Sequence, residues 1–342
     1  MTDDLRTLDA DLIRSFARRH VVVTGGLGFI GSNLARTLLA AGATVTLVDS
    51  LMPTHGGTWA NVAGIEHEVE IHELDVRDTD RLLELLHGQD ILFNLAGQTS
   101  HLDSMTDPRT DLEINCNAQL SLLEACRREG HELRIVFAST RQIYGRPRYL
   151  PVDERHPIEP VDVNGINKTA GEWYHLLYGR VHGIPVSVLR LTNTYGPRMR
   201  VRDARQTFLG LWIRQALAGE ELLVFGDGTQ RRDFSYVGDV VHALCLAATS
   251  PAALGEVFNV GGNGNQSLAE VAELVTRLAG SGRSRVVPFP GDRLAIDIGD
   301  YYADDTKLRT LLGWQPRVGL EEGLAATLEF YRAHGEAYWG GA

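Results

Sequence analysis

The chain has 342 residues, 44 % of them apolar and 23 % charged, which is a globular composition with length for one large or two ordinary domains. A formal charge of −11 argues against general nucleic-acid binding, although a local arginine cluster can still hold an anionic ligand. No apolar run reaches the roughly 18 residues that span a membrane, and Cys116, Cys126 and Cys245 lack metal-ligand spacing, so they read as small buried residues of a protein kept reduced in the cytoplasm.

The N-terminus is charged and does not have the pattern of a secretory signal. Leu5, Leu8, Leu12, Ile13 and Phe16 recur at helical spacing, which predicts a short amphipathic helix within residues 1–19. A β-branched run predicts a strand over 20–24. A glycine-rich turn follows, then a helix over 29–40 ended by Gly42, and a strand over 44–48. Further strands are expected over 69–74, 91–95 and 133–138, with helices over 80–86 and 111–128. Leu112, Cys116, Leu120, Leu123 and Cys126 lie mostly on one face of the last of these. Strands alternating with helices predict an α/β fold of Rossmann type, a doubly wound parallel sheet covered on both faces.

Residues 145–162 are rich in proline and charge and read as loop. A helix over 167–182 and a strand over 186–191 follow. Beyond residue 200 the elements become shorter and mixed, with turns at 226–228 and 261–264. The expected organisation is a Rossmann domain over 20–185, to which 186–198 adds a strand. A smaller C-terminal α/β lobe over 199–342 is interleaved with it.

The turn Gly25-Gly26-Leu27-Gly28-Phe29-Ile30-Gly31 has strand before it and helix after it, the context in which a glycine fingerprint binds a dinucleotide. Gly25 permits the tight turn, Gly28 lets backbone approach a pyrophosphate, and Gly31 lets the helix pack on the strand. The helix N-terminus, entered at Phe29 and Ile30, offers free N–H groups to the phosphates. Asp49 ends the second strand about 20 residues on, where a carboxylate grips an adenosine ribose and repels a 2′-phosphate. The cofactor predicted is therefore NAD rather than NADP. Asp75 and Val76, ending the third strand, are candidates for the adenine edge, with a turn or cap role for Asp75 as the alternative.

Taken together, these motifs resemble the extended short-chain dehydrogenase/reductase superfamily, in particular its nucleotide-sugar epimerases and dehydratases. The resemblance runs from about Val21 to Tyr331. Asn94-Leu95-Ala96-Gly97 is similar to the segment beside the nicotinamide, with Gln98 following toward the substrate. Asn115 stands where the family has a structural asparagine. Ser139-Thr140-Arg141-Gln142-Ile143-Tyr144-Gly145 resembles the catalytic Ser/Thr segment. The stretch from Arg190 to Pro197 resembles the motif whose asparagine, here Asn193, touches the substrate diphosphate. Arg232 and Arg293 stand about where the family places nucleotide-binding arginines. The resemblance implies NAD in the N-terminal half, a nucleotide-sugar substrate in the C-terminal half, and a homodimer through a four-helix bundle built on 111–128 and 167–182.

It also implies a reaction begun by oxidising a sugar hydroxyl, with a tyrosine as base four residues before a lysine. Lys168 is in place, but the tyrosine position is Asn164. An amide has no proton to exchange near neutral pH and cannot act as a general base. Three explanations stay open: another base (Lys168, Tyr144, His101 or a relayed water), an orienting role for Asn164, or binding without turnover. Arg141 and Gln142 replace the Asp and Glu of 4,6-dehydratases, which counts against an ordinary dehydratase. Arg141 either meets a substrate carboxylate, as in a uronic acid nucleotide, or pairs with a loop carboxylate such as Glu154. The expected site is thus Thr140, Asn164 and Lys168 for catalysis, with Gln98, Arg141, Asn193, Arg232 and Arg293 for the substrate and no metal. The basic run Arg198, Arg200, Arg202 and Arg205 is either a substrate-covering loop or a solvated one. The expected activity is C4 epimerisation of a UDP-sugar. The alternatives are a decarboxylase or unusual dehydratase, or a binder without turnover.

Overall fold

The computed structural model describes residues 8–130 and 133–339; Leu5 of the predicted N-terminal helix lies outside them. That helix runs Ala10–Phe16, capped by Asp9, whose carboxylate accepts the Leu12 N–H at 2.8 Å, and it buries Leu12 and Phe16.

The strands are β1 (His20–Thr24), β2 (Thr44–Asp49), β3 (Glu70–Glu73), β4 (Ile91–Asn94), β5 (Arg134–Thr140), β6 (Val186–Leu191), β7 (Asn193–Tyr195), β8 (Glu221–Phe225), β9 (Arg231–Arg232), β10 (Phe234–Tyr236), β11 (Val257–Val260), β12 (Gln266–Ser267) and β13 (Arg283–Val287). Seven of them form one parallel sheet in the order β11-β6-β5-β4-β1-β2-β3. The chain reverses its direction of progress across the sheet between β1 and β4, which opens a crevice at their carboxyl ends. Both faces are covered, as the unbroken apolar runs of β1, β4 and β5 require. Val21, Val23, Phe93 and Val136 face one helical layer with Leu34 and Leu38, whereas Val22, Leu92, Ile135 and Phe137 face the other with Leu82, Leu122 and Leu123. The edge strand β11 comes from far along the chain and pairs with β6, so the C-terminal half helps to build the Rossmann sheet. The short pairs β7–β10, β8–β13 and β9–β12 lie outside it.

Two helices differ from expectation near the crevice. The helix predicted over 167–182 begins at Val163, because Asp162 caps it by accepting the Gly165 N–H at 2.7 Å. The helix predicted over 111–128 starts at Pro108, behind the cap of Asp107, and its second stretch is a π turn, Glu113–Asn117, before the α-helix Ala118–Glu129. Such insertions concentrate at functional sites. Here the turn carries Asn115, whose amide donates to the Gln98 carbonyl at 3.0 Å.

Candidate active site

One cavity of about 750 Å³ runs along the carboxyl ends of the strands, from Gly25 and Asp49 past Thr140 and Lys168 to Asn193, Arg232 and Arg293. Every residue expected to bind cofactor or substrate, or to act in catalysis, lines it.

The cofactor end is built by backbone crowding. Gly25 has φ +69°, and a Cβ there would meet the Ala96 backbone at 3.1 Å; a Cβ on Gly31 would collide with the Gly25 carbonyl. Gly28 caps the helix Phe29–Ala40 with no side-chain hydrogen bond, so the first-turn N–H groups are left for an anion. The Asp49 carboxylate accepts the N–H groups of Leu27 at 3.1 Å and Leu51 at 2.9 Å, which ties the end of β2 to the glycine turn. Burial pushes its carboxyl above the usual range despite these donors. Asp75 is gripped by Arg77 through bonds of 2.9 and 2.6 Å, which holds its carboxyl low. The N–H groups of Leu95 and Ala96 donate to the Thr24 hydroxyl at 3.1 and 3.2 Å. Gly97 is glycine for a steric reason: a Cβ would lie 2.8 Å from Lys168 Nζ. A side-chain-free cradle, an open helix N-terminus and a lysine against Gly97 fit a dinucleotide.

Lys168 Nζ donates to the Ala138 carbonyl at 3.1 Å and lies 5.0 Å from the centre of the Phe137 ring. Burial lowers its amine to about 8. The Thr140 hydroxyl accepts the Gln142 N–H at 3.2 Å. Asn164 is buried, and its amide donates twice, to the Gln98 carbonyl at 2.7 Å and to Asp111 at 3.0 Å. The other Asp111 oxygen accepts from Asn167 at 2.8 Å. Tyr144, one of the bases considered, is fully buried outside the cavity lining. Its hydroxyl donates to Asn259 at 2.7 Å and accepts from Arg190 at 2.6 Å. Burial pushes the phenol up to about 12. Tyr144 thus belongs to a structural network with the buried Arg190–Glu172 ion pair and Ser139.

His101 does line the cavity, and its Nδ1 lies 3.0 Å from the buried Asp162 carboxylate. Sequence reading named His101 but missed Asp162. The signal was there in part: an aspartate before a helix reads as a cap, and nothing local says that it also faces a histidine far earlier in the chain.

At the other end, Arg141 donates to Asn193 Oδ1 at 3.0 Å and stacks 5.3 Å over Tyr301. Its remaining NH1 is buried without a hydrogen-bond partner among the described residues. Glu154 is not its partner, since that carboxylate accepts the Asn259 N–H at 2.8 Å instead. Asn193 completes its amide by donating to the Asp233 carbonyl at 2.9 Å. Arg232 is buried and lies 3.6 Å from Asp297; burial first, and then Arg141, lower it to about 10. Arg293 stacks 5.1 Å over Phe225. Gln98 donates to the Ser100 carbonyl at 3.0 Å, while its buried Oε1 has no partner among the described residues. The basic run is anchored: Arg200 pairs with Asp203 at 2.6 Å and Arg205 with Asp103 at 3.3 Å, and residues 203–207 line the cavity. Phe208, Trp212, Phe225 and Phe289 also line this end, and sequence reading missed them. Each sits apart from the motifs, and an aromatic on the helix Phe208–Leu217 or at the end of β8 reads locally as core.

The model of the NAD-dependent epimerase/dehydratase family matches residues 21–261. The chain belongs to this family. Among curated relatives, a putative UDP-glucose 4-epimerase of Methanocaldococcus jannaschii is 32 % identical over 315 residues, covering 91 % of this chain and 98 % of the relative. UDP-glucuronic acid decarboxylase 1 of Xenopus tropicalis is 33 % identical over 320 residues, covering 92 % and 72 %. Among solved structures, the epimerase Mth375 of Methanothermobacter thermautotrophicus superimposes with a TM-score of 0.89 at 28 % identity, covering 97 % of each chain. The UDP-glucose 4-epimerase of Thermus thermophilus in complex with NAD gives 0.81 at 32 % identity, covering 92 % of this chain and 99 % of that one. The fold is that of the extended short-chain dehydrogenases, and the cofactor of this epimerase/dehydratase-type chain is NAD. Among the described residues no cluster of His, Cys, Asp and Glu could hold a metal, and no helix is long and apolar enough to cross a membrane.

Proposed function

We propose that this protein is a nucleotide-sugar epimerase that inverts C4 of a UDP-sugar through a transient ketone. The observation that carries the reading is the continuity of the cavity, which joins the glycine cradle, Thr140 and Lys168, and the Arg141–Asn193–Arg232 group. When bound, NAD would supply a reversible hydride acceptor for a sugar carbon. Gly25, Gly28 and Gly31 seat the dinucleotide, Asp49 takes its adenosine ribose and Lys168 its nicotinamide ribose. Thr140 donates a hydrogen bond to the reacting sugar oxygen. Asn193, Arg232 and Arg293 hold the diphosphate by charge-assisted bonds, and the aromatic end beyond them takes the base.

Elimination of water needs an acid/base pair beside the sugar. Arg141 is cationic, and the Gln142 amide is spent on Asp162 at 2.7 Å, so the site supports inversion better than dehydration. A second reading rests on the unpartnered NH1 of Arg141: a uronic acid nucleotide would bring it a carboxylate, and the product would then be a decarboxylated sugar. The test is incubation with a panel of neutral and uronic sugar nucleotides, with products followed by mass and NMR. Unchanged mass with inverted C4 is expected. Loss of carbon dioxide would establish the second reading, and binding without any product would overturn both.

We propose further that the protein is a homodimer. Along the helix Val163–His182, Ile166, Trp173, Leu177 and Val181 form one apolar stripe that is 54, 56, 41 and 58 % exposed. A stripe of that length on one helix suits a bundle with its symmetry mate.

A further inference from the structure

The epimerase reading requires a proton acceptor for the sugar hydroxyl, and position 164 does not supply one. Both amide hydrogens of Asn164 are donated to protein, Lys168 is turned to the Ala138 carbonyl, and Tyr144 is sealed away from the cavity. His101 differs from all three. Its ring is 36 % exposed and lines the cavity, while its Nδ1 is buried and lies 3.0 Å from an Asp162 carboxylate that has no exposure of its own, an ion-pair contact outside hydrogen-bond geometry in this rotamer.

We propose that His101 is the general base of this enzyme and that Asp162 is its positioning residue. The proposal rests on the nucleotide-sugar reading above. A small turn of the ring aligns Nδ1–H with the carboxylate 3.0 Å away, and the nearby negative charge favours the proton on Nδ1, which leaves Nε2 as the acceptor, the same logic by which a buried aspartate sets a catalytic histidine in hydrolases. Asp162 is itself held from three sides. Its Oδ1 accepts the Gly165 N–H at 2.7 Å, its Oδ2 accepts the Gln142 amide at 2.7 Å, and the imidazole Nδ1 lies 3.0 Å from the same Oδ2. Burial alone would raise this carboxyl, but the histidine, the amide and the backbone donor together hold it below the usual range.

The proton step balances without further partners. The sugar O–H bond breaks and an Nε2–H bond forms. The imidazolium charge is met by the Asp162 carboxylate, and the proton returns to the same oxygen when the ketone is reduced.

The structure also gives Asn164 a place in this arrangement. Its backbone N–H donates to the Ser104 hydroxyl at 3.2 Å, and Ser104 donates to the His101 carbonyl at 2.7 Å. Its side chain holds the Gln98 carbonyl. Residues 98 and 104 bracket His101, so Asn164 clamps the segment that carries the base.

The experiment uses the full chain. His101→Gln keeps the ring's volume in part and a polar end. It should lose 10²- to 10⁴-fold in kcat, roughly the usual worth of a positioned base, while bound NAD per chain and the Kd for UDP-sugar stay within about threefold of the parent. Asp162→Asn keeps the helix cap, because asparagine caps as well as aspartate. The tautomer is read by NMR of protein labelled with ¹⁵N-histidine, the His101 signal being the one missing from His101→Gln. The parent should show Nδ1–H with a bare Nε2 at pH 8, and Asp162→Asn should lose that preference. A His101→Gln variant within fivefold of the parent's kcat would overturn the proposal, as would an Nε2–H tautomer or one indifferent to Asp162→Asn. If no sugar nucleotide is turned over by the parent, the epimerase reading fails, and the tautomer alone decides whether the dyad exists.

Discussion

Asn164 and Asp111 are joined by a buried hydrogen bond of 3.0 Å, and the same carboxylate binds Asn167 through its other oxygen at 2.8 Å. This link binds the helix Val163–His182 to the helical segment preceding the π turn, where a base was to be expected. Asn164→Ala would leave Asp111 and the Gln98 carbonyl short of a donor in the interior. The expected loss is about 2–3 kcal/mol of stability, measured by urea denaturation, with a fall in kcat smaller than that of His101→Gln. Asn164→Tyr should not gain activity. A phenol cannot make the two amide bonds to the Gln98 carbonyl and Asp111, and leaving both acceptors short should cost about 1–3 kcal/mol.

Lys168 occupies the space that Gly97 leaves by lacking a side chain. Lys168→Ala is expected to lower bound NAD per chain and to reduce turnover by at least about a hundredfold, a scale typical of positioned catalytic groups. Gly97→Ala should reproduce part of the cofactor loss with Lys168 intact, because its Cβ would displace the amine. Absorbance of purified protein and steady-state kinetics check both. Full activity in Lys168→Ala would remove the lysine from the mechanism.

Arg141 carries one buried nitrogen without a partner among the described residues, and an anionic ligand would satisfy it. Arg141→Ala is expected to weaken uronic acid nucleotides by at least about tenfold, some 1.4 kcal/mol, and neutral sugar nucleotides by less than threefold. Isothermal titration distinguishes the cases. An equal effect on both classes would place Arg141 on the diphosphate rather than the sugar.

The exposed stripe on the helix Val163–His182 predicts that Trp173→Glu, at a residue 56 % exposed, shifts the protein from dimer to monomer in analytical ultracentrifugation. It should not lower the stability of the separated chain. An unchanged sedimentation coefficient would refute the proposed interface.

Two histidines predict acid sensitivity. Burial lowers His175 and His242 to about 4, from a free value of 6.5. As pH falls below 6.5 the unfolded chain takes up protons that the folded chain refuses, so stability is full above 6.5 and is lost toward pH 4. Each contributes at most about 3 kcal/mol. Asp233, which burial pushes up to about 6, opposes this between about pH 4 and 6. The clean readout is therefore a difference: the stability gap between the parent and His242→Asn should change by up to about 3 kcal/mol from pH 7 to 4. A constant gap would clear His242.

The cofactor half was legible because its signals are local. A glycine is glycine for what its own backbone must do, and the turn at Gly25–Gly31 with Asp49 sits within one strand–helix–strand unit. Periodicity likewise pointed to the parallel sheet, since strands buried on both faces are apolar throughout. Helix starts were less legible: Asp107 and Asp162 each cap a helix that begins three or four residues before its apolar pattern does.

From the sequence alone came the cofactor, the fold class and the knowledge that position 164 cannot be a base. Only the tertiary structure decided which groups are free to act. It turned Tyr144 into a network, spent Asn164 on Asp111, left Arg141 one nitrogen short of a partner, and set His101 beside Asp162. The reason is physical: availability depends on which donors and acceptors are already satisfied. In a crevice assembled from the ends of separate strands, the partners that satisfy them come from distant parts of the chain.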